Sequence, residues 1–205
     1  MNNETENLVW SNQGFNFPGM VRVRIPRDGS CFFHAITRAY FKPYITGIID
    51  GKSFNRKEFI RGLRKSLSIK LSKVNSETGL RYYDSLSRGK LEDFAKSVPQ
   101  YSLEEMQKEL DSNRAVDNVY NEFISNEIDK DIYILDMVSK DVYITGNDFD
   151  ILYKGRKSIV LLYLPGHYEL IGIETRKGVK TLFSPDHEFI RAIRDRMNLK
   201  LIQFK

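Results

Sequence analysis

Cysteine is almost absent: the chain has one, Cys31, among 205 residues. That excludes a disulfide framework within the chain. Histidine is scarce too, at three, and no close-spaced Cys/His pairs occur, which argues against a zinc site; no metal and no cofactor are expected. Long apolar runs are missing. The longest, "SIVLLYLPG", is far too short to span a bilayer, so no membrane role is expected. The first residues, "MNNETENLVWSNQ", lack a basic stretch followed by an apolar one, so no secretory signal is read there. An intracellular, cytoplasmic and reducing setting is the expectation, and a free thiol stays usable in it. Charge of one sign is not in large excess. The net charge is +5 and the pI about 9.1, but acidic residues are plentiful, and nucleic acid is not expected as a main partner.

What is present suits a folded body. Hydrophobic residues make up 41% and aromatic residues 12%, enough for a sizeable core. Residues 1–17 read as a loosely ordered, Asn-rich segment, from which Trp10 and Phe15 could dock. Residues 18–205 read as one domain, expected to be monomeric. "GMVRVRIP" alternates Val21, Val23 and Ile25 with arginines, as a strand with one buried face does, and Pro26 stops it. "RDGS" is a turn, and "CFFHAITRAYF" a buried helix ending near Lys42-Pro43. Residues 55–74 form an amphipathic helix, with Arg61, Arg64, Lys65, Lys70 and Lys73 off its apolar stripe, a solvated basic face. "LEDFAKSV" and "SLEEMQKEL" are short helices, the second opened by a Ser102–Glu105 capping box. Val116, Val119, Tyr120 and Phe123 share one helical face. "DIYILDMV", "DVYIT", "SIVLLYL" and "HYELIGIET" are strands, the last entering a hairpin around Arg176-Lys177-Gly178. Ser184 and Pro185 open a final helix. The whole is an α+β (α/β-type) chain, its mostly sequential central sheet flanked by helices.

The chemistry centres on Cys31. A thiolate is the nucleophile, and a helix N-terminus favours it. Gly29 lets a substrate carbonyl approach, and the amides of the Asp28–Cys31 turn, including Gly29 and Ser30, could receive an oxyanion. An inert buried cysteine is the equal alternative on this local pattern. Of the histidines, His34 shares a helix face with Cys31 but points along the helix. His187 lies in the first turn of the last helix. His167 follows the Pro165-Gly166 break at a strand start, and Glu169, two residues on, faces the same side and could hold its tautomer. Nucleophile, base and orienter are thereby available.

"DGSCFFHA" resembles the cysteine box of the ovarian-tumour (OTU) cysteine proteases, Asp-Gly-x-Cys followed by two apolar or aromatic residues. "LLYLPGHYELIG" is similar to the family's histidine box. The two stand in the family's order, and the resemblance covers residues 20 to 173. It implies a papain-like OTU fold and a deubiquitinase, cutting isopeptide bonds after the C-terminal glycines of ubiquitin or a ubiquitin-like modifier. By position, Cys31 matches the nucleophile, His167 the general base, and Asp28 the acidic residue of the cysteine box, tied to its loop and oxyanion pocket. Glu169 stands where the family more often has Asp or Asn. It is one methylene longer, so either strand and loop adjust or Asp28 or another polar group orients His167. Gly166, Tyr168 and the Asp28–Ser30 turn are expected to wall a channel for the diglycine tail. The helical middle, residues 44 to 115, is expected to meet the modifier's folded body.

Two other readings remain at this point: a papain-like peptidase of other specificity, and a non-catalytic ubiquitin- or nucleic-acid-binding module. The hairpin and helix after residue 173 fall outside the family motifs and are expected to cover the sheet. The Asn-, Ile- and Lys-rich composition suits an AT-rich genome, as of a virus or an intracellular microbe.

Overall fold

A computed structural model describes residues 4–10, 14–144 and 152–203, without the side chains of residues 88 and 92–94. The strands are β1 (Thr5–Asn7), β2 (Met20–Val23), β3 (Ile48–Ile49), β4 (Lys52–Ser53), β5 (Asp131–Asp136), β6 (Asp141–Val142), β7 (Ser158–Leu164), β8 (His167–Thr175) and β9 (Gly178–Lys180). The helices are α1 (Cys31–Tyr40), α2 (Lys42–Thr46), α3 (Arg56–Leu71), α4 (Tyr82–Ser85), α5 (Lys90–Ser97), α6 (Leu103–Leu110), α7 (Asn121–Ile128) and α8 (Glu188–Gln203).

The main sheet runs β1-β2-β8-β7-β5-β6, with β9 also on β8, and β3–β4 form a separate hairpin. It is a mixed sheet: β5 and β7 are parallel and the other pairs antiparallel. The order departs from a sequential one at two places. β2 pairs with β8, and β5 reaches β7 across the chain. "DVYIT" supplies only β6, and its last residue lies outside the described residues.

The central strands are covered on both faces, which explains their near-continuous apolar character. Ile132, Ile134, Ile159, Leu161 and Leu170 pack with α1 and the helical middle. Tyr133, Leu135, Val160, Leu162 and Ile171 face the other way, onto Phe189, Ile190, Ile193 and Met197 of α8. The residues after 173 thus complete that second core.

Three expectations change. Residues 1–17 do not lie loose where they are described. β1 pairs with β2, Phe15 is buried, and Leu8, Trp10 and Phe17 pack on the second core beside the last helix, because burial there takes the apolar side chains of this polar segment out of water. Residues 1–3 and 11–13 lie outside the described residues. The last helix starts at Glu188 rather than Pro185; Ser184 to His187 form a turn, and His187 Nδ1 accepts the Phe189 amide at 3.2 Å as a cap. Residues 118–120 form a tight 3₁₀ turn before α7, so the apolar set Val116 to Phe123 is split between a loop, that turn and a helix.

Candidate active site

Cys31 opens α1, packed against the start of β8, and is 4% exposed. The backbone amide of Tyr168 donates to its sulfur at 3.4 Å. Burial pushes the Cys31 thiol above its ordinary value, and the amides of Tyr168 and Phe32 pull it back down. The helix-terminal stabilisation of a thiolate is therefore present, but desolvation outweighs it in the resting protein.

His167 is the first residue of β8. Pro165 and Gly166 form a two-residue corner between paired Leu164 and His167, and Gly166 takes φ of 71°, the left-handed region open to glycine. His167 Nε2 stands 3.5 Å from Glu169 Oε1, long for a hydrogen bond, and has no other partner among the described residues. Glu169 is itself buried, and Arg22 Nε on β2 donates to its Oε2 at 2.7 Å. Burial lowers the His167 pKa from its ordinary value, and the Glu169 carboxylate opposes that shift.

Asp28 is engaged elsewhere. Its Oδ1 accepts the Ser30 amide at 2.9 Å, and its Oδ2 lies 3.4 Å from His34 Nε2. His34 is buried, and its Nδ1 meets the Tyr44 hydroxyl at 2.7 Å. Of the two carboxylates sequence reasoning left open, Glu169 is the one placed beside His167, and Asp28 is tied to its own turn and to His34.

Cys31, Gly166, His167 and Tyr168 line one cleft of about 290 Å³, together with Ala115 to Asn118 and with Ile134, Tyr143 and Tyr163. Asp28 and Gly29 border an adjoining hollow with Arg27, Ala115, Gly166 and His167. Ser30 does not wall the cleft; it is buried, with its hydroxyl held by Arg64. The turn amides differ from the expectation that all could meet an oxyanion. Asp28 N–H donates to Pro26 O, Ser30 N–H to the Asp28 carboxylate, and Cys31 N–H to Asp28 O at 3.2 Å. Gly29 N–H is the turn amide without a partner among the described residues.

Two features escaped sequence reasoning. The 115–118 wall follows a loop with no chemistry-bearing pattern, and only proximity in the fold marks it. Arg64 was read as part of a solvated basic face, but it is 1% exposed, with its guanidinium 4.6 Å over the Phe33 ring. Its spacing from Ile60, Leu67 and Leu71, all buried in α3, was the available signal.

The fold has known counterparts. An ovarian-tumour (OTU) domain solved in complex with ubiquitin superposes with TM-score 0.53 and 17% identity, over 95% of this chain and 98% of that one. The viral OTU domain protease from Dera Ghazi Khan virus aligns over 78% of this chain and 94% of its own, at 12% identity and TM-score 0.42. The Hazara virus OTU bound to ubiquitin aligns over 76% and 82%, at 16% identity and TM-score 0.38. No protein-family model matches the chain, and no curated protein matches it in sequence. The first likeness shows the architecture: this chain has the OTU-domain fold. Among the described residues, no helix is long and apolar enough to cross a membrane.

Proposed function

We propose that this chain is a cysteine-dependent deubiquitinase, hydrolysing isopeptide bonds after the C-terminal glycines of ubiquitin or a ubiquitin-like modifier. The observation that carries the reading is one cleft holding both the Cys31 thiol, at a helix start, and His167, with Glu169 behind the ring. The OTU-domain fold supports it, as does the resemblance of "DGSCFFHA" to the family's cysteine box. Glu169 faces Nε2, so Nδ1 is the nitrogen assigned to the thiol proton. His167 takes that proton as sulfur attacks the scissile carbonyl, and the Gly29 amide receives the oxyanion. The imidazolium then protonates the leaving lysine amine, and a thioester remains on Cys31. Water, deprotonated by His167, attacks the thioester and frees the modifier's carboxylate. Gly166 and Tyr168 border the path of the glycines, which need a narrow, side-chain-free slot.

A ubiquitin carrying a C-terminal electrophile tests this directly. It should label the folded protein at Cys31, and Cys31→Ala should abolish both labelling and cleavage of ubiquitin conjugates. Folded protein that stays unlabelled, by ubiquitin and by ubiquitin-like probes alike, would sink the proposal. Cleavage of short unstructured peptides in preference to conjugates would favour a peptidase of other specificity.

A further inference from the structure

Arg64 carries five N–H donors, and every one is used. Nε donates to Leu110 O at 2.8 Å. Nη1 donates to Gly29 O at 3.1 Å and to Ser30 Oγ at 2.8 Å. Nη2 donates to Glu109 O at 2.9 Å and to Arg114 O at 2.8 Å. A saturated, buried guanidinium is costly to place and forms only where its fork matches the acceptors. Here the acceptors belong to two segments far apart in sequence: the turn before Cys31, and the stretch from α6 into the wall of the cleft. The same two segments touch closely. A Cβ on Gly29 would lie 1.7 Å from Asn113 O.

The Gly29–Ser30 peptide group is pinned at both ends. Arg64 holds its carbonyl, and the Asp28 carboxylate holds its N–H. A peptide group so held cannot flip, and the group before it, which carries the Gly29 N–H, is held through its own carbonyl, Asp28 O, by the Cys31 amide at 3.2 Å. We infer that Arg64 is a positioning residue for the Cys31 site, fixing the cysteine turn against the 109–114 segment so that the Gly29 amide and the Ala115–Asn118 wall hold their places around the thiol. This rests on the hydrolase reading above, but its physical content, a clamp between two segments, does not need a substrate.

Arg64→Lys keeps the charge but has three donors on one atom, and cannot serve all five acceptors that brace the two segments. In folded Arg64→Lys, kcat on a ubiquitin C-terminal amide should fall about tenfold to a hundredfold while KM stays within about threefold. Amide hydrogen exchange should speed up about tenfold in residues 28–31 and 109–115, with β7 and β8 unchanged. Ser30→Ala removes one acceptor only, and should show the same local pattern in weaker form if Arg64→Lys does not fold. Unchanged kcat in the folded variants overturns the inference, as does exchange that rises evenly over the sheet. A wild-type protein inactive on every ubiquitin substrate would instead refute the hydrolase reading, and the exchange pattern alone would then decide whether the clamp exists.

Discussion

The proposed catalytic pair is biased toward its uncharged forms. Burial moves the Cys31 thiol up and the His167 imidazole down, and both shifts favour neutral groups. A base whose pKa is lowered stays deprotonated to more acidic pH. The acid limb of kcat/KM should therefore fall below the ordinary histidine value of about 6.5, measured on a ubiquitin amide across pH. Glu169 opposes the shift, so Glu169→Gln should move that limb further to the acid side while cutting kcat by about tenfold or more. A limb that moves toward neutral pH would show that the carboxylate does not face the ring. At this scale the sequence was legible where chemistry is local. The i, i+2 relation of His167 and Glu169 follows from strand geometry alone. The partner of Asp28 did not, because His34 lies one helical turn beyond the cysteine, and only the fold brings Tyr44 to its other nitrogen.

Turns and helices carry different tolerances for the same substitution. Gly29 has no room: its added methyl would meet backbone, which cannot swing aside. Gly29→Ala should cost about 1 to 3 kcal/mol in urea unfolding and lose most activity, since the turn must back away from Asn113. Gly62, inside α3, has open space around it. Gly62→Ala should raise stability by about 0.5 to 1 kcal/mol, the helix preference of alanine over glycine. Equal effects at the two sites would contradict the close approach. The elements themselves were readable where a local rule acts. Ser102, read as the capping residue of α6, accepts the Glu105 amide; Asn55 caps α3 on the Glu58 amide by the same rule, though sequence reading did not single it out. Helix α3 was misread at Arg64 because amphipathic patterning assigns every cation to water, and a guanidinium with five acceptors is the exception.

Across the molecule, the sheet is held between two cores, and the late chain closes the second. Arg196 of α8 donates from Nε and Nη2 to the Asp141 carboxylate at 2.9 and 2.7 Å, tying the last helix to edge strand β6. Arg196→Met should lower stability by about 1 to 3 kcal/mol in denaturant unfolding, because buried Asp141 loses its forked partner. No loss would mean that Lys200, 3.5 Å from the same carboxylate, suffices. The class of architecture was visible in the alternation of helical and β-rich stretches. The pairing of β2 with β8 was not, since a pairing between residues 20–23 and 170–173 leaves no mark on either strand taken alone.

The corner at Pro165 and Gly166 has a further consequence. It sets the phase of β8 against β7, and alternate residues of a strand point opposite ways. One residue added there, with the corner held at two residues, would put Gly166 where His167 stands in the count and His167 where Tyr168 stands, exchanging the two sides of the strand's opening. Two added residues would restore the parity. Which side of the strand His167 presents is thus counted from the corner: an odd insertion reverses it, and an even one keeps it but carries His167 further along β8.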